Sequence, residues 1–554
     1  MTRTPIHTKH SLEAYVIQYR CQELRFMEAD VVLIGCNVLT MNLAQPYAEA
    51  IAIKEDKIVK VGSKKEVSKS IGKKTKIIEL KGETVIPGLI DTHIHIADFG
   101  RFLMWLDLKG AKSIKEIQKM IRKRAHRLPQ GKWILGQGWD QTTFVEKRYP
   151  DIRDLDEAAP EHPLVLYHQS GSLCIVNSKA LEVARITKET NSPAGGTIEH
   201  DPETSEPTGL LRENAMSLVW EVIPEPDEKE VLDATSIACK KIAEAGVTSV
   251  NWIVSSLSEI ELIRKLRTEN KLPLRVYVIF PVDILDQITG LSSLKDLNDD
   301  WVRLGGVKVF ADGSLAERTA SLREPYSDDC TNKGSLLYTQ KEINALVTKL
   351  HKANFRLIIH AMGDQAIEIV TSTLEEALNE LPKNDHRYRI EHAAVLDITL
   401  INRIKKIGVI VAVQPCAIIS EFATWSAIER LGNKRARWLY PIKTLIREGV
   451  MVSGGSDCPM EPISPFLGMQ AAVTRQFFPI EQITVDDALR MYTVTAAYVS
   501  FDENIKGSIE EGKLADCAVI SNDPRTIPSD RIENIEVQMT IVGGKIVYSK
   551  RAAE

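Results

Sequence analysis

Hydrophobic and polar positions follow two different rhythms along this chain. From residue 29 to about residue 80 the apolar residues come in short strand-like runs, ADVVLIGCNVLTM, EAIAIKEDKIVKVG and TKIIEL, separated by polar turns. The same rhythm returns near the other end in KGSIEEGKLADCAVIS and IEVQMTIVGGKIVY, where Gly543 and Gly544 predict a hairpin turn. Two β-rich ends around a long middle predict one small β-sandwich assembled from residues 29–83 and 505–550. Residues 1–28 match neither rhythm and are expected to form an extension, with Met27 a second candidate start.

Between the two ends, short apolar strands alternate with amphipathic helical stretches, the pattern of parallel α/β architecture. After a first strand around residues 91–95, strands are predicted at 247–252, 274–280, 307–310, 356–360, 389–392, 409–414 and 451–457. Eight strands is the number that closes a (β/α)8 TIM barrel, here predicted over residues 84–504. The gap between the first and second strands, residues 97–240, is too long for a loop and is expected to be an insertion that covers the substrate.

Composition narrows the function classes. The chain has 554 residues, a net charge of -5 and no basic stripe, so nucleic acid is not an expected partner. No apolar run reaches the ~20 residues of a membrane span. The first residues lack the apolar core of a secretory signal, and the 8 cysteines are scattered without a Cys-x-x-Cys pair. A cytoplasmic location with reduced thiols is the expectation.

Candidate chemistry centres on TVIPGLIDTHIHI. If residues 91–95 are extended, His93 and His95 share one face and can chelate one metal ion. Active sites in this barrel lie at the carboxyl ends of the strands. The residues found there are His93 and His95 on strand one, Lys308 on strand four, His360 on strand five, His392 ending strand six and Asp457 ending strand eight. Only 12 histidines occur in the chain, and four of them fall at predicted strand ends. Lys308 is a poor ligand as an ammonium, but desolvation between Val307 and Val309 would leave neutral amine able to take up carbon dioxide as a carbamate. On the residues alone, a lysine paired with an acid such as Asp312 is the simpler reading.

PGLIDTHIHI, NSKAL, GGTIEHDPETSEPTGLLRENA, VKVFADGSLAERTASLREPY, HAMGDQAI, RIEHAAVL, GGSDCPMEPISP and GSIEEGKLADCAVI together make a specific signature. Through them the chain resembles the amidohydrolase superfamily, and within it the YtcJ-like group, amidohydrolase family 3, that includes N-substituted formamide deformylase. The resemblance runs from about residue 29 to residue 548. It implies a TIM barrel with a sandwich from both termini, an insertion after strand one, and a site for one or two zinc ions. It further implies that His93 and His95 bind the first metal, that carboxylated Lys308 bridges, and that His360 and His392 bind the second. Asp457 would bind metal and shuttle the proton. One departure is Gly171 followed by Ser172, where many relatives have Gly-His; His168 lies nearby.

The expected activity is a metal-dependent hydrolase cleaving a non-peptide C–N bond of amide or formamide type, by attack of a zinc-activated hydroxide on a small-molecule substrate. A lactonase, phosphotriesterase or aminohydrolase on the same scaffold is the alternative, and a non-catalytic scaffold a more distant one. Trp139, His168, Asp312 and Arg318 are the candidate substrate contacts, and Glu391, Asp364 and Asp312 the candidates for orienting the imidazoles. Homo-oligomers are common in the superfamily and form a further expectation.

Overall fold

The computed structural model describes residues 28–170, 172–289 and 298–551. The expected extension therefore lies, but for Glu28, outside the described residues.

Eight parallel strands build the barrel: β1 (Leu89–Ile94), β2 (Val247–Ile253), β3 (Arg275–Pro281), β4 (Val302–Phe310), β5 (Leu357–Ala361), β6 (Arg389–His392), β7 (Ile410–Val413) and β8 (Val452–Gly454). They pair in chain order from β1 to β8. β2, β5, β6 and β7 are buried along their whole length, which is why their sequences are apolar runs rather than alternations. The ladder stops between β8 and β1, where side chains bring the edges together. Thr92 Oγ1 lies 3.1 Å from Ser453 Oγ and donates to the Gly454 carbonyl at 3.0 Å, leaving the barrel nearly closed.

The strand bounds match the hydrophobic pattern to within one residue at β2, β3, β5, β6 and β7. β4 begins five residues early, at Val302, because the pair Gly305 and Gly306 interrupts the apolar run without breaking the strand. β8 ends at Gly454, so Asp457 does not end the strand as expected. It stands three residues beyond, in a turn where the Ser456 N–H donates to Asp91 Oδ1 at 2.9 Å and Asp457 has φ +60°.

Both chain ends share one further sheet. Thr84–Pro87 is its centre, parallel to Val31–Leu39 and antiparallel to Cys517–Ile520. Val537–Val542 and Lys545–Ser549 extend it through a hairpin whose Gly543 and Gly544 have φ +54° and +73°, angles that side chains disfavour. Leu33, Ile51, Val85, Val519 and Ile541 pack in its core. Arg275 at the start of β3 forms a buried ion pair with Asp516 at 2.7 Å, tying barrel to sheet.

Residues Ala97–Ala238 form a second compact unit. Its six-stranded sheet runs in the order Gly196–His200, Pro207–Glu213, Leu173–Val176, Leu164–His168, Ile134–Trp139, Leu106–Asp107. Its core includes Ile117, Ile121, Trp139, Leu155 and Leu166. Among the described residues no helix is long and apolar enough to cross a membrane.

Candidate metal centre

β1 delivers His93 from its last turn of pleat and His95 just past its end. Asp457 comes to them from the turn after β8, its own N–H donating to the His93 carbonyl at 2.7 Å. Its Oδ1 lies 3.3 Å from Nε2 of His93 and 3.3 Å from Nε2 of His95. All three donor atoms fall within 4.8 Å of one another. Ligands bound tetrahedrally at ~2.0–2.1 Å stand roughly 3.3 Å apart, so this donor set fits one divalent cation.

The other two histidines stand alongside. The His392 ring centroid is 5.0 Å from that of His93 and 4.5 Å from that of His360. Lys308, 1% exposed, lies two residues inboard of the end of β4, its Nζ 5.0 Å from the Phe310 ring centroid. Phe310 in turn packs 5.2 Å from the His360 ring.

With this arrangement in place, the comparisons with known proteins are direct. The amidohydrolase family model matches residues 76–548. The chain belongs to this family. The YtcJ protein of Bacillus subtilis (strain 168) is 32% identical over 531 residues, covering 93% of this chain and 99% of its own. The N-substituted formamide deformylase of Arthrobacter pascens is 28% identical, over 94% of this chain and 98% of its own. Among solved structures, a metal-dependent hydrolase from Pyrococcus furiosus matches with a TM-score of 0.72 at 28% identity, over 90% of this chain and 100% of that one.

In this amidohydrolase three of the four histidines have one ring nitrogen spoken for. Nδ1 of His93 is hydrogen-bonded to the Glu391 carboxylate, and Nδ1 of His392 to Gln414 Oε1 at 2.7 Å. Each pairing leaves Nε2 as the lone-pair donor. Nε2 of His360 instead donates to the Gly313 carbonyl at 3.0 Å, which leaves Nδ1. Glu391 is held in turn by Arg389, Nε to Oε1 at 2.8 Å and a second nitrogen to Oε2 at 2.9 Å.

Three of these partnerships were not anticipated. Glu391 serves His93 across the barrel rather than its neighbour His392, because successive strand side chains diverge. His392 then reaches the same centre through a φ of +68°, with Ala393 at +45°, a conformation costing on the order of 1–3 kcal/mol per residue. Gln414 was missed as a partner for His392; the only signal was a polar residue closing an apolar strand. Arg389 was missed too, although Arg-x-Glu in a strand places both side chains on one face.

Electrostatics follow the burial. Burial and the Lys308 ammonium oppose a charge on His93, but Asp457 and Glu391 outweigh them and raise its pKa. Asp457 is held well below the usual carboxylate range by His93, His95 and His392, against the opposing effect of its burial. Burial drives Lys308 down to about 8, so neutral amine is available near neutral pH. Burial and Lys308 together drive His360 to about 3, keeping it a neutral ligand type.

The expected substrate contacts have protein partners of their own. Asp312 is buried and accepts three backbone N–H groups, from Ser321, Met362 and Gly363, so it braces the loop after β4 against the loop after β5. Its Oδ1 lies 3.6 Å from His360 Nε2. Arg318 pairs with Asp328 at 2.6 Å, and Asp364 accepts from the Arg323 N–H at 3.0 Å. Within the second unit, Trp139 is fully buried and its Nε1 donates to the Leu166 carbonyl at 2.9 Å, which makes it a core residue. His168 packs its ring 4.7 Å from that of Trp139, with Nδ1 on Ser170 Oγ.

Proposed function

We propose that this amidohydrolase cleaves a carbon–nitrogen bond other than a peptide bond, of amide or formamide type, in a small molecule, using zinc. The observation that carries this reading is the single Asp457 oxygen 3.3 Å from both His93 Nε2 and His95 Nε2, with the rings of His392 and His360 beside them. The choice of bond rests on likeness to the Arthrobacter pascens deformylase. When bound, the metal supplies a Lewis acid that polarises oxygen and lowers the pKa of water from about 15.7 to about 7. His93, His95, His360 and His392 hold the donor positions, and Lys308, as a carbamate, would add a carboxylate-like oxygen between them. Asp457 orients the attacking water, takes its proton and passes it to the departing nitrogen. Its low pKa keeps it ionised, and its neighbouring imidazoles keep it aimed.

The test combines elemental analysis with a substrate panel of N-formyl and N-acyl amines, lactones and phosphotriesters. The expected result is bound zinc and turnover of the amides, cut about 10²–10⁴-fold by Asp457→Asn with metal retained. Turnover confined to lactones or phosphotriesters, or protein that takes up no metal, would sink this reading.

A further inference from the structure

β4 ends with two side chains on one face, because residues 308 and 310 are two apart in a strand. Phe310 therefore stands one step beyond Lys308, nearer the mouth of the barrel. Two contacts fix its ring to the metal centre: Lys308 Nζ lies 5.0 Å from its centroid, and the His360 ring 5.2 Å away. Phe310 and His360 are also opposite one another in the register of β4 and β5. Val307, Lys308 and Val309 are all buried, yet Phe310 is 41% exposed. A lone exposed apolar side chain is ordinary. This one touches two of the candidate metal-binding residues and still has free surface.

The opposite wall repeats the feature. β4 and β8 stand four strands apart in the order of eight, so their carboxyl ends face each other across the mouth. The turn after β8 that carries Asp457 also carries Met460, whose N–H donates to the Asp457 carbonyl at 2.9 Å and whose side chain is 66% exposed. Glu461 next to it accepts the Ser420 hydroxyl, which joins this turn to the chain leaving β7, where Ile419 is exposed as well. The centre is thus polar where His93, His360, His392 and Asp457 meet and apolar along two sides of its rim.

We propose that Phe310 and Met460 are specificity-determining residues that receive a hydrocarbon group, alkyl or aryl, carried by the substrate beside the scissile bond. This rests on the hydrolase reading for its position and deepens it by naming the group next to the bond. A hydrocarbon placed there leaves water together with the exposed ring and thioether, and all three surfaces gain from it. A charged group pressed against the same two side chains would shed water and gain no partner from them.

The test uses the full-length, zinc-loaded protein and three hydroxamates that share one metal-binding head: acetohydroxamate, hexanohydroxamate, and the monohydroxamate of adipic acid as a charged match of equal length. Calorimetry gives their affinities, and the ratios between them cancel any change in the metal itself. A methylene fully buried is worth roughly 4-fold, so four of them on a half-open rim should make hexanohydroxamate at least ~10-fold tighter than acetohydroxamate, with the adipic acid derivative close to acetohydroxamate. Phe310→Ala should bring the hexano-to-aceto ratio under ~3-fold. In turnover, hexyl-substituted amides should exceed methyl-substituted ones in kcat/KM by a similar ratio, with the same collapse in the variant. Should Phe310→Ala fail to fold or to hold zinc, Met460→Ala carries the same comparison. Equal affinities for the three hydroxamates in the wild type, or a chain-length preference unchanged in both variants, would overturn the proposal. A preference that is lost on substitution, in a protein that hydrolyses no amide, would leave the apolar rim in place and remove the amidase reading instead.

Discussion

Asp457 and His392 illustrate how much of the site is a matter of single backbone angles. Both have left-handed φ values, +60° and +68°, that a side chain ordinarily avoids. At His392 that angle brings consecutive side chains, Glu391 and His392, to bear on one centre. Gly455 makes the approach of the β8 turn possible, since a Cβ there would stand 2.7 Å from the His93 backbone nitrogen and 2.9 Å from the His93 Cβ. At this scale the partner of each imbalance in ring orientation is testable. Gln414→Leu removes the acceptor for His392 Nδ1 and leaves no group to hold the ring, and metal affinity should fall about 10–100-fold. Competition with a chromogenic chelator would measure it, and unchanged affinity would mean that Gln414 does not orient His392.

Among the elements, the helices around the barrel are legible from capping and periodicity, and their anchoring is not. Gln340–Lys352 starts at Thr339 with a reciprocal cap from Glu342. Its last turn is fastened by His351, 1% exposed, whose Nε2–H donates to the Leu381 carbonyl at 2.8 Å while Nδ1 lies 2.6 Å from the Tyr388 hydroxyl. Burial lowers the pKa of this ring below the ordinary 6.5. The folded state therefore favours the neutral ring. Its contribution is complete above pH 6.5 and is lost as pH falls below that value and the unfolded chain takes up the proton. The slope from one such group is at most ~1.4 kcal/mol per pH unit. Denaturant melts between pH 7 and 5 should show His351→Gln with a shallower loss than the wild type; parallel curves would exclude His351 as a source of acid sensitivity.

For the whole molecule, the joint between barrel and terminal sheet rests on a buried charge pair. Asp516 accepts two guanidinium nitrogens of Arg275, at 2.7 and 3.1 Å, and the Gly543 N–H at 2.8 Å. Asp516→Ala strands a buried cation and should cost about 3–5 kcal/mol, seen as a lowered midpoint in chemical denaturation. A change under ~1 kcal/mol would show that water replaces the carboxylate. Neither the pair nor its partners could be read from spacing, because 241 positions separate Arg275 from Asp516.

By itself the sequence determined the barrel, the shared terminal sheet and the identity of the family, because periodicity and turn chemistry are local and the family's motifs are contiguous. It also singled out His93, His95, His360, His392 and Asp457 as a set, since a parallel barrel puts every strand end at one mouth. Only the tertiary structure decided which nitrogen the rings of His93, His360 and His392 leave free, that Asp457 arrives from a turn rather than a strand, and that Trp139 and Arg318 already have partners. Those outcomes are pairings between side chains far apart in the chain, and distance along a sequence carries no information about angle or burial where two strands meet.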